Sequence, residues 1–95
     1  MPSDKDVKAK KPEYSVLILP SAQKQLHKLP NAIASRIEDK LLELEADPRP
    51  PGCKKLRGRD AWRIRIGDYR AIYEIHDGKL IVTVITIGHR REVYE

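Results

Sequence analysis

Ninety-five residues, 40% hydrophobic and 35% charged, supply one modest core and exclude a multi-domain enzyme. No apolar run approaches the ~20 residues that span a bilayer, and Met1 to Lys5 lack the apolar stretch of a secretory signal. The single cysteine, Cys53, excludes an internal disulfide, no Cys/His cluster has zinc spacing, and the expected setting is the reducing cytoplasm.

The net charge of +5 is unevenly spread, with +1 in residues 1–13, −1 in 14–48 and +5 in 49–95. Lys54, Lys55, Arg57, Arg59, Arg63, Arg65 and Arg70 crowd into one stretch against Asp60 and Asp68 alone. Such a concentration is an electrostatic footprint for a polyanion, nucleic acid first. The alternatives are a solvated basic surface and an acidic protein partner.

Residues 1–13 are polar, lysine-rich and aperiodic, which predicts a flexible basic tail ahead of a single domain over 14–95. Tyr14 to Leu19 is a short apolar, partly β-branched run, the pattern of a strand. Pro20-Ser21 opens a helix, with Pro20 in the first turn and Ser21 placed to cap neighbouring amides. Ala22, Leu26 and Leu29 share one face of it. Pro30-Asn31 ends that helix and begins a second, whose stripe is Ile33, Ile37, Leu41 and Leu44. Asp47-Pro48 stops it. The minimal connection between the helices predicts an antiparallel hairpin.

Arg49-Pro50-Pro51-Gly52 is a stiff connector. From Ala61 the period changes to two. Trp62, Ile64 and Ile66 alternate with Arg63 and Arg65. In the next strand Tyr69, Ala71, Tyr73 and Ile75 alternate with Arg70, Ile72 and Glu74. Asp77-Gly78 predicts a tight hairpin with positive φ at both central positions. Leu80 to Ile87 is nearly continuous Leu, Ile, Val and Thr, the composition of a strand covered on both faces. Gly88 marks its end. The order is β-α-α-β-β-β, an α+β fold with a helical hairpin packed on one face of a small, mainly antiparallel sheet. The other face is then left for a ligand.

Arg63 and Arg65 stand two apart on one strand and point to the same face. Arg70 follows the tight Gly67-Asp68 connection and Arg90 follows the last strand. If the strands form a meander, these four arginines converge. A guanidinium clamps two phosphate oxygens at once and stabilises the extra charge of a pentacoordinate transition state. His89 and Tyr94 add groups able to transfer protons. No acidic cluster suggests a two-metal site and no glycine-rich phosphate loop is present, so the chemistry calls for no metal and no cofactor. The blander alternatives are that Arg63 and Arg65 solvate an exposed sheet face, and that Arg70 pairs with Glu74 or Asp68.

Together these residues resemble the RelE/ParE superfamily of type II toxins, in particular the RelE-like ribosome-dependent mRNA interferases. The resemblance spans about residues 14–95. It is carried by Leu26-to-Leu29 with Pro30, Lys55-Leu56-Arg57-Gly58, Trp62-Arg63-Ile64-Arg65, Gly67-Asp68-Tyr69-Arg70-Ala71-Ile72-Tyr73 and Ile87-Gly88-His89-Arg90-Arg91-Glu92-Val93-Tyr94. It implies a microbial-RNase-like fold and cleavage of mRNA in the ribosomal A site. The 2′-OH attacks the scissile phosphate, leaving a 2′,3′-cyclic or 3′-phosphate and a 5′-hydroxyl.

On this resemblance the site residues are Arg63, Arg65, Arg70, His89, Arg90 and Tyr94, with Lys54, Lys55, Arg57, Arg59 and Arg91 contacting RNA and the ribosome. The implied partners are a cognate antitoxin, the ribosome and mRNA, with no membrane. RelE-type members often have lysines where this chain has Arg63 and Arg65. Arginine keeps its proton, so these two act as phosphate clamps, and His89, then Tyr94, are the titratable candidates for the base. Some relatives continue past the matching tyrosine into a C-terminal helix. The alternative within the superfamily is a ParE-like poison of DNA gyrase without RNase activity.

Overall fold

The computed structural model describes residues 13–89 and residue 91. The predicted tail up to residue 12, Arg90 and Tyr94 lie outside the described residues.

Strand β1 (Ser15–Ile18) leads into α1 (Pro20–His27), α2 (Asn31–Leu42) and a 3-10 turn over Glu43–Glu45. Four strands follow: β2 (Lys54–Lys55), β3 (Trp62–Ile66), β4 (Tyr69–His76) and β5 (Ile81–His89). The two-residue β2 is additional to the predicted order. Pro20 stands at the start of α1, where its missing N–H is harmless. Ser21 does not cap the helix as predicted. Its hydroxyl instead donates to the Ile85 carbonyl at 3.2 Å.

The sheet order is β1-β5-β4-β3-β2. β1 runs parallel to β5, and all other neighbours are antiparallel. The long apolar β5 is an interior strand between β1 and β4, as its composition predicts. The helical hairpin covers one face. Ala22, Leu26, Ile37, Leu41 and Leu44 meet Ile64, Ile66, Ala71, Tyr73, Val82, Val84 and Ile87 there in one buried cluster. Each large aliphatic side chain taken from water in this way contributes about 1.5–3 kcal/mol.

The opposite face is not wholly open. Leu56 and Ala61, at the two ends of a loop closed by the Leu56 N–H donating to the Ala61 carbonyl at 2.9 Å, bury Ile72 in a second small cluster. Only the part of that face beyond the loop remains for a ligand.

The Asp77-Gly78 connection also departs from expectation. His76 pairs with Ile81, so the loop has four residues, and the left-handed φ of 55° falls on Leu80 rather than on Gly78. Long-range contacts account for the difference. The Asp77 carboxylate accepts hydrogen bonds from the Tyr14 hydroxyl at 2.5 Å and the Arg49 guanidinium at 3.0 Å, and the Leu80 carbonyl accepts from Ser15 N–H at 2.8 Å. Arg49 also lies over the Trp62 ring, 5.1 Å from its centroid. Gly67-Asp68 is the tighter turn, joining the Ile66↔Tyr69 pair with φ 61° at Gly67 alone, the pattern of a II′ hairpin.

Candidate active site

The strand register decides which predicted residues share a surface. Arg65 stands directly opposite Arg70, and Lys54 opposite Arg63, which in turn faces Ile72. Directly opposed residues of an antiparallel pair project from the same face. Lys54, Arg63, Arg65 and Arg70 therefore share the face away from the helices, while Ile64 and Ile66 enter the core. Arg65 is exposed, and Arg63 and Arg70 are half-buried.

Two like charges directly opposed destabilise a sheet unless something anionic lies between them. On its other side Arg70 pairs with Gly88, which has no side chain to cover it. Arg57 and Arg59 are exposed on the loop that folds over Ile72, so they rim the same face. Lys55 is one step out of phase. It pairs with Trp62 and makes an ion pair of 3.7 Å with Asp60.

Around the end of the sheet, the Arg36 guanidinium passes 3.7 Å from where a Cβ on Gly67 would stand. A groove of about 340 Å3 carries the basic surface from Arg65 towards Arg36 and Lys40, with Asp39 and Glu43 opposing them.

His89 belongs to the other face. It pairs with Tyr69, and the rings meet edge-on with centroids 5.6 Å apart. Its Nδ1 accepts a hydrogen bond from the exposed Arg91 N–H at 3.2 Å. The structure thus brings together Arg63, Arg65 and Arg70 and sets His89 across the sheet from them. Among the described residues, no group of three or more His, Cys, Asp or Glu could hold a metal ion, and no helix is long and apolar enough to cross a membrane.

The groups with shifted pKa lie at the opposite end of the sheet. The Arg49 and Tyr14 hydrogen bonds hold the Asp77 carboxyl below its ordinary range, and the same contact raises the Tyr14 phenol. Burial raises Tyr73, whose hydroxyl donates to the Pro48 carbonyl at 2.8 Å. These groups tie the Arg49-to-Cys53 connector to the sheet. No sequence pattern announced them, because the partners lie 25 to 63 residues apart.

The family model described as ParE toxin of type II toxin-antitoxin system, parDE, matches residues 16–94. The chain belongs to this family of toxins. It is 36% identical over 78 residues to the mRNA interferase toxin RelE of Escherichia coli, covering 77% of this chain and 81% of that protein. It is 34% identical over 84 residues to the toxin RelG of Mycobacterium tuberculosis, covering 85% and 95% respectively. The toxin fold matches the archaeal RelE-RelB complex from Pyrococcus horikoshii with a TM-score of 0.76 and 30% identity, over 85% of this chain and 99% of that one. This is the α+β architecture expected from the sequence, and the RelE-type resemblance is borne out.

Proposed function

We propose that this toxin is an endoribonuclease that cuts mRNA in the ribosomal A site and so arrests translation. The observation that carries the reading is the Arg65–Arg70 pair, with Arg63 on the same face and Gly88 beside Arg70. The relatedness to an mRNA interferase supports it. The guanidiniums grip the non-bridging oxygens of one phosphodiester. The adjacent 2′-oxygen attacks phosphorus and loses its proton, the bond to the 5′-oxygen breaks, and that oxygen takes up a proton. Charge rises on the phosphoryl oxygens in the transition state, where fixed cations stabilise it most.

An arginine stays protonated throughout, so proton transfer falls to a group outside the trio. His89 pairs with Tyr69 on the opposite face, with its Nδ1 accepting from Arg91 N–H, so the role passes to Tyr94, the other titratable candidate. Arg90 completes the phosphate clamp, and Lys54, Lys55, Arg57, Arg59 and Arg91 contact ribosomal RNA and message. The archaeal relative forms a complex with RelB; here a cognate antitoxin covers the basic surface, and the toxin works in the cytoplasm where ribosomes are.

The test is induction in cells with mapping of message 5′ ends, for the parent and for Arg70→Ala and Arg90→Ala. Codon-phased cuts that disappear in the variants are expected. Double-strand breaks in DNA with intact messages would overturn the reading in favour of a gyrase poison, the alternative within the superfamily.

A further inference from the structure

The parallel pairing of β1 with β5 ends at Ile18↔Val84, where Leu19 N–H donates to the Val84 carbonyl. Beyond that point β5 has β4 on one side and, among the described residues, no strand on the other. Its free edge presents the Ile85 carbonyl and the Ile87 N–H, groups that destabilise a fold when buried without partners. α1 supplies side chains in place of a strand. Ser21 Oγ donates to the Ile85 carbonyl at 3.2 Å. Ile87 N–H donates to Gln25 Oε1 at 2.7 Å, and Thr86 Oγ1 donates to the same oxygen at 3.2 Å. The next residue, Gly88, is the one that faces Arg70, and Arg90 follows two positions later.

We propose that Gln25 is a positioning residue for RNA cleavage. By holding the Ile87 amide it fixes the end of β5 beside Arg70. This inference rests on the nuclease reading above. Both hydrogen bonds converge on one acceptor atom, so a carboxylate at position 25 serves as well as the amide. An isosteric thioether or a methyl group does not.

The experiment is cleavage of message on programmed ribosomes by the full chain, comparing the parent with Gln25→Met, Gln25→Ala and Gln25→Glu. Misplacement of a catalytic group by about an ångström costs on the order of a hundredfold in rate. Gln25→Met is therefore expected to lower kcat by roughly ten- to a hundredfold with KM nearly unchanged, and Gln25→Glu to recover it to within about threefold. Amide hydrogen exchange at Ile87 is expected to speed up in the methionine variant and to stay slow in the glutamate variant. Parent-like kcat in both Gln25→Met and Gln25→Ala overturns the proposal. So does equal loss in Gln25→Glu while the Ile87 amide stays protected, or joint loss of kcat and binding in every variant. A parent that leaves message intact on ribosomes is a different failure. It removes the nuclease reading itself, whereas protected Ile87 exchange still reports the Gln25 contact.

Discussion

The proposed chemistry concentrates on Arg70. It stands between Arg65 on one neighbouring strand and Gly88 on the other. Two guanidiniums directly opposed on one face are a favourable geometry for holding an anion between them. On the nuclease reading Arg70 meets the scissile phosphate most strongly when charge accumulates on the phosphoryl oxygens. Removing one such donor in other enzymes costs roughly a hundred- to a thousandfold in kcat. Arg70→Ala is therefore expected to lose activity by about that factor while ribosome binding stays close to parental, as checked by single-turnover cleavage alongside pelleting with ribosomes. Equal loss of binding and cleavage would mean that Arg70 only tethers RNA. Lysine is a weak substitute at such a position, because a point charge cannot reproduce the planar fork. Arg70→Lys is expected to fall between parent and alanine.

Elements set where these residues meet. The β3–β4 hairpin aligns Arg65 with Arg70 because two residues, Gly67 and Asp68, close it with φ 61° at Gly67. A side chain at Gly67 forces the left-handed region, which costs about 1–2 kcal/mol. Gly67→Ala is expected to lower stability by about that much in urea unfolding, with no change in the denaturant slope.

The far end of the sheet is tied differently, by Tyr14 and Arg49 on the Asp77 carboxylate. The Asp77 pKa is lowered from its ordinary 3.8, so its contribution is present above that pH and is lost as pH falls through the folded value. The Tyr14 pKa is raised from 10.0, so its contribution is complete below pH 10 and is lost as pH rises through the folded value. Tm against pH is expected to show a constant gap between parent and Asp77→Asn near neutrality. The gap should close in acid, where the parental carboxylate is protonated.

Much of this architecture was legible in local pattern. Alternation put Ile64 and Ile66 inside and Arg63 and Arg65 outside, and a helical stripe picked out Ile37, Leu41 and Leu44. The Asp77 loop and the Gln25 contact were not legible, since their partners lie 28 to 63 residues away. His89 was grouped with the arginines by nearness in sequence to Arg90, whereas register paired it with Tyr69.

For the whole molecule, the excess charge of +5 resides in the half of the chain that builds β2 to β5, while the helical hairpin is nearly balanced. The helices pack on one face of the sheet, and the opposite face with its loop carries the arginines proposed to bind RNA. On the proposed nuclease reading, the arginine face leads the approach to RNA, drawn by a field that salt screens beyond about 8–10 Å. Binding to single-stranded RNA releases counterions, and log K falls with log salt by about 0.7 for each phosphate neutralised. An arginine that contacts phosphate should therefore do more than weaken binding when removed. Arg63→Ala is expected to flatten the salt slope by about 0.7, measured by fluorescence anisotropy on a short unstructured RNA across a range of salt concentrations. Lys24→Ala, on the exposed surface of α1, should leave that slope unchanged. If both variants shifted the slope equally, the charge would be acting as a diffuse cloud, and the assignment of one sheet face to RNA would have to be abandoned.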